Sequence, residues 1–170
     1  AQTSIEIHNP TSISASASVT SSYHGQQISC TTSTDGVIDA TASTGGTGTL
    51  MYSKDGGLTY QSSPVFSGLG AGDYTITVRD ANNCSVETTV TITAPSALTA
   101  SASVTSNYNG SEVSCNGSSD GEITASGSGG TGSYTYKLNS GSYQLSGTFT
   151  GLSAGIYAIT VKDVNGCTAQ

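Results

Sequence analysis

Residues 66–84, Phe-Ser-Gly-Leu-Gly-Ala-Gly-Asp-Tyr-Thr-Ile-Thr-Val-Arg-Asp-Ala-Asn-Asn-Cys, return as residues 149–167, Phe-Thr-Gly-Leu-Ser-Ala-Gly-Ile-Tyr-Ala-Ile-Thr-Val-Lys-Asp-Val-Asn-Gly-Cys. A duplication of this kind makes the chain a tandem repeat, with each copy about 80 to 85 residues long. Within the repeated stretch a glycine-marked turn leads into a segment whose Tyr, Ile and Val fall at every second position, and an Asp/Asn loop then ends at a cysteine. That pattern reads as a turn, a half-buried strand and a second turn.

The same alternation opens each copy. Ile13, Ala15, Ala17 and Val19 alternate with serines after Pro10, and Leu98, Ala100, Ala102 and Val104 repeat the pattern after Pro95. Serine and threonine are abundant, which by composition alone would suggest a flexible stalk. Alternation with apolar residues instead places them on the wet face of a sheet. Asp35-Gly36 and Asp120-Gly121 mark turns into strands carrying Ile38 and Ala40 or Ile123 and Ala125. The spacing between copies shifts by one residue before Gly45-Gly46 and Gly129-Gly130, which predicts a bulge or turn insertion. Tyr52 and Tyr136 follow in the next strand, and Asp55-Gly56-Gly57 or Asn139-Ser140-Gly141 predicts a hairpin. The fold class expected is all-β, as two antiparallel β-sandwich modules.

Residues 1–9 carry Ile5 and Ile7 before Pro10, matching Val90 and Ile92 before Pro95, so they read as the closing strand of a preceding module. The first module then covers 10–94 and the second 95–170. The second module stops at Cys167-Thr168-Ala169-Gln170, without a counterpart to Val86–Ile92, and Ala1-Gln2 repeats Ala169-Gln170. An uncompleted sheet leaves backbone donors and acceptors unpaired. Residues 3–8 of one molecule are therefore expected to add as the last strand of module two in another, a head-to-tail association. A strand docked in its own molecule or a free tail are the alternatives. The short Ala94-Pro95 junction predicts modules strung semi-rigidly.

Four cysteines occupy equivalent places, Cys30 and Cys84 in the first copy and Cys115 and Cys167 in the second. Pairing within copies is the expectation, each bridge contributing about 4 kcal/mol by loop closure. Four free thiols or a shared zinc site are the alternatives, the latter without any CxxC knuckle.

Chemistry-bearing residues are sparse. His8 and His24 have no histidine counterparts in the second copy, and no serine stands in a nucleophile-elbow pattern, so no enzyme is expected. Asp35, Asp80, Asn82, Asp120, Asp163 and Asn165 recur on turns where oxygen ligands for structural calcium could converge. The competing reading is that these side chains bond their own backbone. Tyr23, Tyr60, Tyr108 and Tyr143 are candidate loop platforms for a polysaccharide. A formal charge of -7 with four Lys and Arg argues against nucleic acid and anionic membranes, and no apolar run is long enough to span a bilayer. The chain reads as an excerpt from a longer secreted product.

Taken together, Cys30, Asp35-Gly36, Gly45-Gly46, Tyr52, Gly68-Leu69, Ala71-Gly72, Tyr74, Asp80, Asn82 and Cys84, with their counterparts Cys115 to Cys167, resemble the SprB repeat of gliding-motility adhesins in Bacteroidetes. The resemblance implies a very large protein of the bacterial cell surface that grips a substratum, and immunoglobulin-like or PKD-like modules. It supplies no catalytic motif. It leaves two roles for these copies, a spacer adjoining further repeats or a module that touches a polysaccharide.

Overall fold

A computed structural model describes residues 2–170, and among them it contains twelve strands and no helix. The all-β, antiparallel class read from the sequence is the one the structure has. The match of Ala1-Gln2 to Ala169-Gln170 rests in part on residue 1, which lies outside the described residues. The chain forms two compact units. One comprises residues up to Ser21 with Thr32–Thr93, the other Ser22–Thr31 with Ala94–Gln170.

In the first unit, β1 (Ser18–Val19), β2 (Gly36–Asp39) and β4 (Val65–Leu69) make one antiparallel sheet. The other contains β3 (Met51–Ser53), β5 (Gly72–Arg79) and β6 (Ser85–Ile92), ordered β3-β5-β6. Alternation decides which residues face inward. Ile38 from the first sheet and Ile76, Val78 and Ile92 from the second are at most 1% exposed, with Phe66, Leu69 and Tyr52 also buried. Fully burying an aliphatic side chain of this size contributes about 1.5 to 3 kcal/mol. Serines opposite Ala15, Ala17 and Val19 remain exposed, while those apolar residues are half-buried.

The second unit repeats the plan. β7 (Thr99–Val104), β8 (Ser119–Ser128) and β10 (Thr148–Ser153) form one sheet, and β9 (Thr135–Leu138), β11 (Ile159–Lys162) and β12 (Thr168–Ala169) the other. Its core is thinner. Ala125, Phe149 and Val161 are buried, but Val104 is 44% exposed and Ile156 fully so. The difference follows from pairing. β5 is matched by β6 along Gly72–Arg79, whereas β12 matches β11 at Val161 and Lys162 alone.

The one-residue shift before Gly45-Gly46 is a turn in the first copy. β8 runs unbroken to Ser128, but β2 stops at Asp39 and the chain turns at Ala40–Ser43, with Ser43 N donating to Ala40 O. The Asp39 carboxylate accepts from Thr41 N at 2.7 Å and also from its hydroxyl. Ser43 then replaces lost ladder bonds, its Oγ accepting from Ser16 N and donating to Ser16 O, both at 3.1 Å. The predicted hairpin at Asp55–Gly57 is reduced to a single bridge, Tyr52 to Gln61, and the strand paired with β3 is β5.

The cysteine pairing differs from the within-copy expectation. Cys30 is bonded to Cys167, with Cα atoms 5.8 Å apart, and Cys84 and Cys115 are free and exposed. The physical reason is the course of residues 22–31. Within-copy pairing requires this stretch to pack with its own copy, but it packs in the second unit, against the turn that ends at Cys167. The bridge spans 137 residues, for which the chain-entropy estimate is about 5 kcal/mol.

Candidate functional site

Two of the repeated motifs, Gly-Gly-Thr-Gly and Asp-x-Asn-x-Cys, meet in space in each unit and form one cradle. In the first, Asp80 Oδ1 accepts from the amides of Asn82 and Cys84 at 2.9 Å, and Oδ2 accepts from Thr47 N at 2.9 Å. In the second, Asp163 Oδ1 accepts from Asn165 N at 3.0 Å and Cys167 N at 2.8 Å, and Oδ2 from Thr131 N at 2.9 Å. Both aspartates are 4% exposed. Buried carboxylates are tolerable here because each is saturated by amide donors. For Asp80 the Thr47 amide above all, opposed by burial and helped by the Cys84 and Asn82 amides, holds the carboxyl below its ordinary range.

The glycines of the motif answer to the same packing. Gly45 and Gly129 have φ of 83° and 75°, and a Cβ on either would fall 2.0 Å from a carbonyl oxygen, of Ser12 or Ala97. A Cβ on Gly130 would fall 2.6 Å from Asp163 Oδ2. Small residues with left-handed backbone are thus required for the loop to reach the carboxylate.

What the cradle holds is visible in the second unit. Asn165 Nδ2 donates to Tyr23 O at 3.2 Å and Ser29 O at 3.3 Å, and its Oδ1 accepts from His24 Nδ1 at 2.6 Å. Residues 22–31 are shaped by a two-residue turn in which Tyr23 and Gln26 exchange backbone bonds around His24 and Gly25, with φ of 50° and 86°. Ile28 in this segment has no exposed surface, and Cys30 completes the attachment covalently. Cys167 and Asn165 are consequently half-buried, whereas Cys84 and Asn82 at the equivalent cradle are exposed.

The six residues considered for calcium have these places in the structure. Asp80, Asn82, Asp163 and Asn165 belong to the cradles, two in each. Asp120 Oδ1 accepts from Ser114 N at 3.1 Å, the Ser114 interaction lowering its pKa, and Asp35 immediately precedes β2. Among the described residues no three His, Cys, Asp or Glu side chains converge as metal ligands.

The four tyrosines considered for polysaccharide fall into two pairs. Tyr60 and Tyr143 occupy equivalent places, and each has a cation on its ring: Arg79 lies 3.8 Å and Lys162 3.9 Å from the respective centroids. Such stacking anchors the variable loops to β5 and β11. Tyr23 and Tyr108 open the two-residue turns, Tyr108 being 39% exposed with its hydroxyl donating to Asp120 O at 3.1 Å. Tyr60 lies in the first unit, and Tyr23, Tyr108 and Tyr143 in the second.

Sequence reasoning missed a further shared tie. Gln61 Nε2 donates to Ser63 O and Val65 O at 2.8 and 3.0 Å, and Gln144 Nε2 to Ser146 O and Thr148 O at 2.8 and 2.9 Å. The recurring Gln-x-Ser-x-x-Phe spacing was the available signal. The loops 58–65 and 142–148, which differ between the copies in length and chemistry, thus end on a common anchor.

Residues 107–147 match the family model of the SprB repeat. No curated protein matches the chain. Among solved structures, it is similar to the C-terminal 282-residue fragment of intimin in complex with the intimin-binding domain of the translocated intimin receptor, at 16% identity and TM-score 0.37. That alignment covers 95% of this chain and 62% of that one, so the chain spans less than two thirds of the fragment. It is also similar to the fibronectin(III)-like modules of Clostridium thermocellum CbhA, at 13% identity and TM-score 0.33, over 91% of this chain and 90% of that one.

Proposed function

We propose that the chain is a structural segment of a repeat array in a large secreted bacterial surface adhesin, one that serves gliding and attachment by projecting or supporting adhesive sites. The observation that carries this reading is that both copies repeat the ties that hold their turns and loops in place, while several loop side chains differ between them. The Asp cradle, the Gln anchor and the tyrosine hydroxyl that closes the Gly-Leu-x-Ala-Gly-x-Tyr turn recur in both copies, Tyr74 donating to Gly70 O and Tyr157 to Ser153 O. Leu58 and Pro64 in the loop before β4 have no chemical counterpart in the other copy. Selection for length and stiffness acts on the ties, whereas a shared ligand would act on the outer face. The reading assigns no catalysis.

Association with further repeats is part of the same proposal. In the second unit Ala100, Ala102, Val104, Ile123, Tyr157 and Ile159 line an open groove of ≈ 340 Å³. In the first unit Val90 and Ile92 of β6 are 9% and 1% exposed at the corresponding strand. Ile5 and Ile7, which match them in sequence, are 88% and 94% exposed and belong to no strand. Residues 3–8 of a second copy fill the groove, adding beside Gly155–Ile159, where β11 begins, in the register β6 has on β5. Light scattering on a dilution series tests this: mass grows with concentration for the full chain and stays monomeric without residues 1–9. A monomer at every concentration for both refutes strand addition.

Direct reading of a polysaccharide through Tyr108 or Tyr143 is the competing role. The spacer reading predicts no retention on a glycan array. Binding that Tyr108→Ala or Tyr143→Ala removes would reverse the order of the two.

A further inference from the structure

The two copies share a clasp of which the structure uses only half. Residues 22–31 grip the Asp163–Cys167 cradle through Asn165 and the Cys30–Cys167 bridge. Their counterpart in the second copy is residues 107–116, in which Tyr108 and Ser111 exchange the same backbone bonds around Asn109 and Gly110, with φ of 52° and 94°. This segment is preformed and held to its own unit by Ser114 N and the Tyr108 hydroxyl on Asp120, but it grips no cradle: Cys115 is exposed, and Val113 is half-buried where its counterpart Ile28 is fully buried. The counterpart of the gripped cradle is Asp80–Cys84, built from the same three amide bonds, with Asn82 and Cys84 exposed. One empty hand and one empty handle are therefore present on the same chain.

We propose that these two surfaces bind each other between molecules: residues 107–116 of one copy of the chain clasp the Asp80–Cys84 cradle of another, and Cys115 bonds to Cys84. Asn82 Nδ2 takes the role of Asn165, donating to the carbonyl oxygens of Tyr108 and Ser114. Asn109 replaces His24 and donates its amide to Asn82 Oδ1. The arrangement is heterologous, so it propagates head to tail and does not close a pair. In an array it makes each repeat hold the next by a covalent bridge, first cysteine to following second cysteine. The inference rests on the repeat reading and not on the adhesive role. It is also separate from strand addition, which uses other residues.

The bridge requires an oxidant, and a small-molecule disulfide such as glutathione disulfide supplies it. The thiolate of one cysteine attacks the glutathione disulfide, releasing one glutathione thiol and leaving a mixed disulfide. The thiolate of the other cysteine then displaces the second glutathione. Two protein thiols are oxidised to one disulfide, one small disulfide is reduced to two thiols, and the two protons pass to them.

The test uses Cys84→Ser and Cys115→Ser in the full chain, incubated in glutathione disulfide separately and mixed, and read by non-reducing gel and mass mapping. The unsubstituted chain gives a ladder of multimers. Each variant alone stays monomeric over the time in which the mixture yields a dimer that stops at two, linked Cys84 to Cys115. Adding Asn82→Ala to the Cys115→Ser partner slows dimer formation roughly tenfold, the loss of three exposed amide hydrogen bonds. Homodimers through Cys84 or through Cys115 forming as fast as the mixed dimer overturn the proposal. So does a Cys84–Cys115 bond within one molecule, or a mixed dimer indifferent to Asn82.

Discussion

At the scale of single residues, the account rests on carboxylates and glycines whose jobs are local. Asp39, Asp55, Asp80 and Asp120 are all held below the ordinary carboxyl pKa by hydrogen bonds, from Thr41, Ser53, the Thr47 amide and Ser114 foremost. A group whose folded pKa is depressed stabilises the fold above its unfolded value, near 4, and that stabilisation is lost as pH falls through the folded value. Thermal melts are therefore expected to show no change from these groups between pH 5 and 7 and a falling Tm below about pH 4. A Tm that rises on acidification contradicts the turn bonds. Glycine gives the sharper local test. Gly129→Ala meets the Ala97 carbonyl at 2.0 Å with φ of 75°, whereas Gly110→Ala meets nothing within 4 Å at φ of 94°. The first costs about 3 kcal/mol or more and the second about 1 kcal/mol, measured by urea unfolding. Equal losses would show that close approach is not what fixes the Gly-Gly motif.

At the scale of elements, much was legible because burial on one face of a strand writes itself as alternation. Ile38, Ile76, Val78 and Ile92 could be assigned to the core from their spacing, and they are fully or almost fully buried. The Ala-rich first strands also alternate as read in the first unit, with Ala15 and Ala17 half-buried between exposed serines. The extra residue of the first copy was legible as an irregularity, but its form was not. Whether one residue becomes a bulge or a turn depends on Ser43 reaching Ser16 across the sheet, a contact 27 positions away that periodicity does not encode. The hairpin at Asp55–Gly57 was legible as a reversal, closed by the Tyr52–Gln61 bridge, but its short extent was not. Turn residues report that the chain reverses, whereas the strand that pairs with β3 is chosen by the whole sandwich, and it is β5. The ties that define the candidate site lie between these limits. Gly-Gly-Thr-Gly and Asp-x-Asn-x-Cys were each visible as repeated motifs, yet their meeting through Asp80 and Thr47 joins positions 33 apart and appears only in three dimensions.

At the scale of the whole molecule, the cysteines carry the largest difference between sequence and structure. Equivalent spacing in two copies invites pairing inside each copy, since a repeat is most simply a self-contained module. The structure places residues 22–31 in the unit formed by the second copy, and the bridge runs from Cys30 to Cys167. A bond of that kind cannot be deduced from spacing, because the same four positions support either arrangement. The first cysteine segment of the first copy thus belongs to the following unit. Stability of the second unit then depends on a covalent link to chain outside its own copy, and the free thiols Cys84 and Cys115 are where the pattern continues. The most direct test is disulfide mapping of monomeric protein with free thiols alkylated before proteolysis. The account predicts a linked peptide joining Cys30 to Cys167, with the label on Cys84 and Cys115. Linked peptides joining Cys30 to Cys84 and Cys115 to Cys167, with no labelled cysteine, would contradict it.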